Sequence, residues 1–287
     1  MHLSPLDNEV FFKKAFTDKL VFTQFVKDII GIDIKVGKIE TEKRFKPKVA
    51  YIDFAYDIFA ESKDNRIIIE IQRVNYDYSF DRFLHYHNMA IAELQRNAKD
   101  YRIKPTVYTI VVLTASDIIE DKDSKAVEED VLISDVNPHN LKGKTFNLYG
   151  HQLVFLNPNF KNDNTPPRIK DWLDLILDSI ENPDNPKINL KNKAIKKAAK
   201  LIDDDNLTPE DRRAAKIAFA TEETRKIVER KAEERGHKEG EKIANLKTAQ
   251  KMIAEGFEVT IISKMTGLDV ETIYQLETGE YYDNNTD

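Results

Sequence analysis

Apolar residues recur at helical spacing in the first part of the chain. The repeating positions are Phe12, Phe16, Leu20, Phe22, Phe25 and Ile29. Phe12, Phe16 and Leu20 recur every four residues, and Phe22, Phe25 and Ile29 continue the apolar face at intervals of three and four, so they predict an amphipathic helix over about residues 7–31. Gly31 follows the last apolar position and is the expected C-cap, because glycine adopts the left-handed conformation without strain.

The next segments change to a pattern that is typical of β-strands. Residues at about 47–60 and 66–73 are rich in β-branched and aromatic side chains, and the polar tetrapeptide at 62–65 separates the two runs. Two such runs on either side of a short polar turn predict a β-hairpin.

Helix-like and strand-like segments alternate in the following part of the chain. A helix without Gly or Pro is predicted at about 77–98, and another helix begins after Thr165-Pro166-Pro167. Strands are predicted at 106–114, near 129–135 and near 145–156. This order of elements predicts an α/β fold, in which helices flank a small central sheet.

Composition divides the chain into parts. The Asn- and Pro-rich segment 182–186 is a boundary signal, so we assign residues 1–182 to the α/β domain. Residues 183–242 are interpreted as a charged helical linker region, which contains six lysines and no acid at 187–200. Residues 243–287 are interpreted as a small helical module that is similar to a helix-turn-helix.

Overall composition limits the class of protein. The chain has 287 residues, 41% of them hydrophobic, with 15 Phe and 11 Tyr, which is typical of a folded protein. Cysteine is absent, which excludes disulfides and zinc sites with cysteine ligands. Neither a signal peptide nor a membrane-spanning run is recognisable, so we expect a cytoplasmic protein without a membrane partner. The net charge of −6 argues against a surface that is basic throughout, but not against a local basic patch.

Three polar residues interrupt the apolar strands of the predicted hairpin. A turn at Lys63-Asp64 would pair Asp57 with Glu70, whereas a turn at Asp64-Asn65 would pair Asp57 with Gln72. Either register places all three side chains on one face of the sheet, because side chains alternate along a strand. Directly opposed residues have Cβ atoms about 4.5–5.5 Å apart, so two acids at such positions would repel each other.

A divalent cation would account for this pair of acids. Hard cations prefer oxygen ligands, and Mg²⁺, Mn²⁺ and Ca²⁺ all share this preference. Asp53 lies four residues before Asp57 on the same strand face and is the rival ligand. Outside a functional site, Glu9 would be a first-turn acid whose charge the helix dipole favours, and Lys13 would be a solvated helix lysine.

Four short motifs occur in order along the chain. They are Glu9-Val10-Phe11-Phe12-Lys13-Lys14-Ala15-Phe16, Asp57-Ile58-Phe59-Ala60, Ile69-Glu70-Ile71-Gln72 and Arg82-Phe83-Leu84-His85-Tyr86. In this order the chain resembles the Rpn family of recombination-promoting nucleases, also described as PD-(D/E)XK family transposases. Glu9 stands where the family more often has Asp, and Gln72 stands where the superfamily usually has Lys.

The resemblance implies a restriction-endonuclease-like core with a central mixed β-sheet flanked by helices, followed by an all-helical C-terminal region. It also implies a metal-dependent DNA endonuclease that hydrolyses phosphodiester bonds and is associated with mobile elements or recombination. Asp57, Glu70 and the carbonyl group of Ile71 would bind Mg²⁺ or another divalent cation. Glu9 would add a ligand or hold a water molecule, and Gln72 would orient the nucleophile.

DNA is the expected partner, and Lys13, Arg82 and Tyr86 are the candidate residues for contact with it. The C-terminal module is a poor candidate for reading DNA, because residues 258–287 contain one lysine and seven acidic residues. We therefore interpret it as a self-association or regulatory module, which makes a homodimer through this region a hypothesis.

An alternative function follows from the two departures at Glu9 and Gln72. The chain would then be a catalytically decayed nuclease-fold protein that acts in DNA binding, regulation or protein interaction. Metal binding distinguishes the two hypotheses, because a decayed core should tolerate the loss of Asp57 and Glu70.

Overall fold

The computed structural model describes residues 1–44, 55–73, 79–95, 103–115, 120–121 and 123–278. Two compact units follow one another along the chain, Met1–Phe219 and Ala220–Asp287. The strands are β1 (Ile39–Arg44), β2 (Ala55–Glu61), β3 (Asn65–Gln72), β4 (Thr106–Leu113), β5 (Val131–Asp135) and β6 (Gln152–Leu156). The helices are α1 (Glu9–Phe16), α2 (Lys19–Ile30), α3 (Ser79–Ala92), α4 (Pro167–Glu181), α5 (Lys193–Ile202), α6 (Pro209–Ala254), α7 (Val259–Thr266) and α8 (Val270–Thr278).

The strands form one mixed sheet in the order β1-β2-β3-β4-β6-β5. The pairs β1–β2, β2–β3 and β5–β6 are antiparallel, whereas β3–β4 and β4–β6 are parallel. Helices α1, α2, α4 and α5 share one core with alternate residues of β2, β3, β4 and β6. Helix α3 shares a second core with the intervening residues of these strands. The predicted α/β fold, with a central mixed sheet, flanking helices and helices at the C-terminal end, is confirmed.

The β2–β3 hairpin adopts the first of the two predicted registers. Glu61 pairs with Arg66 and Ile58 pairs with Ile69. The main-chain N–H of Ser62 donates to the carbonyl oxygen of Asn65 at 2.8 Å, so the turn residues are Lys63 and Asp64. The ladder pairs end at Ile58 and Ile69, and the main-chain N–H of the next residue, Asp57, donates to the side chain of Glu70.

The N-terminal helix of the prediction is in fact two helices. Helix α1 ends at Phe16, and the carboxylate of Asp18 accepts the N–H groups of Leu20 and Val21 at 3.0 and 3.3 Å to start α2. The single helix was wrong because the apolar spacing continues across this break, whereas the N-cap ends one helix and begins another. The predicted C-cap at Gly31 is confirmed, with a φ of 84°.

Aromatic packing fixes α1 and α2 beneath the sheet. The Phe16 ring is fully buried and lies 4.3 Å from Phe12, 4.9 Å from Phe25 and 5.8 Å from Trp172, measured between ring centroids. The indole Nε1–H of Trp172 donates to the carboxylate of Asp28 at 2.9 Å, which satisfies two buried polar groups. These contacts position α1, which carries two residues of the candidate site.

Helix α5 lies in the segment predicted as a charged linker, yet one of its faces is buried. The buried side chains are Ala194, Ile195, Ala198, Ala199 and Ile202, and all belong to the core that contains α1 and α2. Its lysines lie on the other positions, so apolar and basic residues alternate at helical spacing. The division of the chain at 182 and 242 stays a prediction.

Helix α6 begins after Thr208 and ends at Ala254. Thr208 caps it through its hydroxyl group, which accepts the N–H of Asp211 at 3.1 Å, while the Asp211 carboxylate accepts the N–H of Thr208 at 3.0 Å. The helix continues without a break through two glycines, Gly236 and Gly240. Among the described residues, no helix has an apolar stretch of the length that crossing a bilayer requires.

The second unit contains the greater part of α6 together with α7 and α8. Ala249, Ile262 and Ile273 form its buried centre. Gly256 and Gly267 have φ angles of 78° and 70°, which glycine adopts without strain, and they separate the three helices.

Candidate active site

Two carboxylates occupy the end of the β2–β3 ladder. The N–H of Asp57 donates to Oε1 of Glu70 at 3.2 Å, and the N–H of Ile71 donates to Oδ2 of Asp57 at 3.0 Å. Each side chain therefore accepts a hydrogen bond from the main chain of the opposite strand. Glu70 is only 1% exposed, so this position holds a carboxyl group inside the protein.

Burial dominates the electrostatics of this pair. It raises the pKa of Asp57, although the hydrogen bond from Ile71 and the charge of Lys13 partly offset the rise. It also raises the pKa of Glu70 well above the ordinary value of 4.5, and the nearby charge of Asp57 raises it further. Two negative charges held together away from bulk water are unfavourable unless a cation or a proton neutralises them.

Helix α1 and strand β1 contribute a second group of charges beside Asp57. Glu9 and Lys13 are four residues apart on α1, and Lys13 Nζ lies 3.0 Å from Oε2 of Glu9. The same ammonium group donates to Glu42 of β1 and lies 3.8 Å from Oδ1 of Asp57. Burial alone would lower the pKa of Lys13, but the hydrogen bond to Glu42 and the neighbouring negative charges raise it above its ordinary value.

Helix α3 approaches the other side of the pair. Arg82 donates through its Nη1 to Oε1 of Gln72 at 3.3 Å and through its Nε to the hydroxyl oxygen of Tyr86 at 3.0 Å. Its guanidinium group also lies 5.2 Å from the centre of the Tyr86 ring. Gln72 is 4% exposed, and its buried amide oxygen accepts its hydrogen bond from the charged guanidinium group of Arg82.

A comparison with protein families identifies the group to which this arrangement belongs. A family model described as PD-(D/E)XK nuclease family transposase matches residues 8–228. The chain belongs to this family. The matched range includes every residue of the site described above, from Glu9 to Tyr86. Among curated proteins and among solved structures, no match to the chain is found.

Membership of the PD-(D/E)XK nuclease family transposases supports a function of the nuclease type. It confirms the family named in the resemblance, whereas the narrower assignment to the recombination-promoting nucleases stays a prediction. The residues of the site lie on five elements, α1, β1, β2, β3 and α3.

The predicted site residues fall into three groups around the hairpin. Asp57, Glu70, Ile71 and Gln72 lie at the end of β2 and β3, Glu9 and Lys13 come from α1, and Arg82 and Tyr86 come from α3. Contacts link the three groups through Asp57 and Gln72. Their individual roles stay predictions, and the rival ligand Asp53 lies outside the described residues.

The side chains of Tyr86 and Lys13 are largely enclosed by the protein. Tyr86 is 8% exposed, and its hydroxyl group accepts from Arg82. The Lys13 side chain is 15% exposed and is directed towards carboxylates. The proposed DNA contacts of both residues stay predictions.

Glu42 is the site residue that the sequence analysis missed. It has a φ of 53°, which is unusual for a residue other than glycine, and it lies in the charged strand β1. Glu9, Glu42 and Asp57 each offer a carboxylate oxygen, and these oxygens lie within 4.8 Å of one another. Oxygen donors at such distances, with Glu70 beside them, fit a hard divalent cation.

Proposed function

We propose that this chain is a metal-dependent DNA endonuclease that hydrolyses phosphodiester bonds. The observation that carries the proposal is the pair of the half-buried Asp57 and the buried Glu70, each fixed by a main-chain N–H of the opposite strand. Two like charges held together away from bulk water are unfavourable, and a bound divalent cation would account for them. Membership of the family supports the same conclusion.

The metal would be held by Asp57, Glu70 and the carbonyl oxygen of Ile71, with Mg²⁺ as the first candidate and Mn²⁺ or Ca²⁺ as alternatives. When bound, such an ion polarises a phosphate oxygen and lowers the pKa of a water molecule. Glu9 and Glu42 lie close enough to Asp57 to extend the set of oxygen donors.

The remaining residues act on the water and the phosphate through their own donors. Gln72 cannot serve as an acid or a base, since an amide does not titrate. Its amide, whose Oε1 accepts from Arg82, would instead orient the water molecule or a phosphate oxygen by hydrogen bonding. Gln72 of β3 stands where the superfamily usually has a lysine, and Arg82 of α3 brings a positive charge next to it.

The biological setting belongs to the proposal as well. DNA is the substrate, and the activity serves mobile elements or recombination in the cytoplasm. A homodimer through the C-terminal helices would supply two sites for cleavage of both strands. Lys13, Arg82 and Tyr86 are the proposed residues next to the DNA.

The alternative is a catalytically decayed nuclease fold that binds DNA or regulates a partner. It is favoured by the two departures from the family pattern, Gln72 in place of a titratable lysine and Glu9 in place of the more usual Asp. The two functions differ in their dependence on the buried carboxylates, because only the enzyme requires them.

Cleavage of supercoiled plasmid tests the proposal. Purified wild type is incubated with EDTA, Mg²⁺, Mn²⁺ or Ca²⁺ in turn, beside Asp57→Ala and the control Asp123→Ala. Asp123 suits as a control because its side chain is 78% exposed. The proposal predicts metal-dependent nicking by wild type and the control only. Folded wild type without cleavage in any metal would favour the decayed core.

A further inference from the structure

Lys13 lies between three carboxylates that come from three different elements. Its Nζ is 3.0 Å from Glu9 of the same helix, donates to Glu42 of β1 and is 3.8 Å from Asp57 of β2. The oxygens of these three acids are within 4.8 Å of one another. One ammonium group therefore neutralises part of a local charge of three carboxylates.

The neighbouring lysine provides a contrast on the same helix. Lys14 forms its ion pair with Asp211, away from the three acids. Both lysines are mostly enclosed, with side chains 15% and 21% exposed. They differ in the number of acids that they contact, so Lys14 is a matched control for any effect of Lys13.

We propose that Lys13 is a tethered cation, which competes with the divalent metal for the same carboxylate oxygens. The inference rests on the proposed function, since it requires a metal at Asp57. An ammonium group and a divalent ion that both contacted Asp57 would repel each other. Metal binding would therefore require the Lys13 side chain to move away, which its flexible four-carbon stem permits.

The competition has two effects that can be measured. Without metal, Lys13 keeps Glu9, Glu42 and Asp57 together and reduces their mutual repulsion. With metal, the energy needed to displace Lys13 lowers the apparent affinity. Removal of the charge therefore weakens the metal-free protein and tightens metal binding, two changes of opposite sign.

The test is titration of the full chain with Mn²⁺ alone. Calorimetry measures the heat of binding, and the electron spin resonance signal of free Mn²⁺ measures the unbound ion. Lys13→Met removes the charge, Lys13→Arg keeps it, and Lys14→Met is the control. We expect Lys13→Met to bind Mn²⁺ about tenfold more tightly than wild type. Lys13→Arg and Lys14→Met should bind with the affinity of wild type. Lys13→Gln serves in place of Lys13→Met if the latter does not fold.

Three results would overturn the inference, and they are distinguishable. Equal or weaker Mn²⁺ binding by the uncharged Lys13 variants, with binding by wild type that needs Asp57, would show that Lys13 is only structural and would leave the proposed function intact. Absence of Mn²⁺ binding in wild type and variants alike would reject the metal site, and the proposed function with it. Tighter binding by Lys13→Arg would also overturn the inference, because that variant keeps the charge.

Discussion

Asp57 and Glu70 face each other across the end of the β2–β3 ladder, and each carboxylate accepts a main-chain N–H from the opposite strand. The backbone thereby fixes both oxygens before any ligand arrives. Such fixed oxygens suit a metal site, because little reorganisation is needed on binding. They also leave two like charges inside the protein, which has consequences for stability.

The first prediction concerns the stability of the metal-free protein. Glu70→Gln retains an acceptor for the N–H of Asp57 but removes a buried charge, so we expect the free energy of unfolding at neutral pH to rise by roughly 1–3 kcal/mol. Folding raises the pKa of Glu70, so the stability that this group provides is complete below pH 4.5 and is lost as the pH rises through the raised pKa.

Urea unfolding in EDTA at several pH values measures this difference. The gain of Glu70→Gln over wild type should be largest at neutral pH and should vanish at acidic pH, where Glu70 is neutral as well. A gain that does not depend on pH would show that charge is not the cause. The same variant should lose metal-dependent cleavage.

A second prediction concerns Gln72, which stands where the superfamily usually has lysine. Gln72→Lys would place an ammonium group in a buried position beside Arg82. We therefore expect the free energy of unfolding to fall by roughly 1–3 kcal/mol, with no gain in the rate of cleavage. Gln72→Met is the control, since it removes the hydrogen bond without adding a charge. Thermal unfolding compares the two variants, and equal losses would show that the added charge has no effect.

A third prediction uses His87, which is 3% exposed and contacts the hydroxyl oxygen of Thr109 through Nδ1 at 2.9 Å. Burial lowers the pKa of His87 from 6.5 to about 4, with a smaller effect from His151. Folding therefore favours the neutral ring, and the stability that it provides is complete above pH 6.5 and is lost as the pH falls through about 4. This loss should reach roughly 2–3 kcal/mol.

His87→Asn cannot titrate, so it should remove this part of the acid sensitivity, whereas the exposed His139→Asn should not. Unfolding by urea between pH 7 and pH 4 provides the comparison. If His87→Asn loses stability with falling pH as steeply as wild type does, His87 is not the titrating group.

A fourth prediction concerns the aromatic core beneath α1. Phe16→Ala removes a fully buried ring with three aromatic neighbours and should reduce the free energy of unfolding by roughly 3–5 kcal/mol. Phe146→Ala is the control, since Phe146 is 43% exposed. Denaturant unfolding measures both variants, and a similar decrease in the free energy of unfolding for Phe16→Ala and Phe146→Ala would contradict the account.

Local patterns in the sequence were sufficient for the hairpin and for several helix ends. The polar tetrapeptide predicted the hairpin and left two turns open, of which the structure has the one at Lys63-Asp64. The end of the apolar spacing predicted the C-cap at Gly31. These features depend on neighbours in the chain. The continuous helix over 7–31 was wrong for the same reason, because apolar spacing does not register the capping by Asp18.

Other parts of the site depend on contacts between distant elements. Glu42 lies in an exposed and charged strand without an apolar face, so no pattern marked β1 or the approach of Glu42 to Lys13. The contact of Arg82 with Gln72 joins a helix to a strand and requires the packed fold. The sequence indicated the acids of the hairpin and named Lys13 and Arg82 as candidates for DNA contact, but the contacts of these cations with Asp57 and Gln72 require the packed fold.

The initial rate of plasmid nicking in Mg²⁺ tests the central claim most directly, with wild type, Asp57→Asn, Glu70→Gln and Asp123→Asn measured side by side. The two amide variants keep hydrogen-bond acceptors but lose the charges that a metal needs. The account predicts nicking by wild type and Asp123→Asn, with a loss of at least about 100-fold in the two site variants. Equal nicking by wild type and both site variants would contradict the claim that Asp57 and Glu70 form the active site.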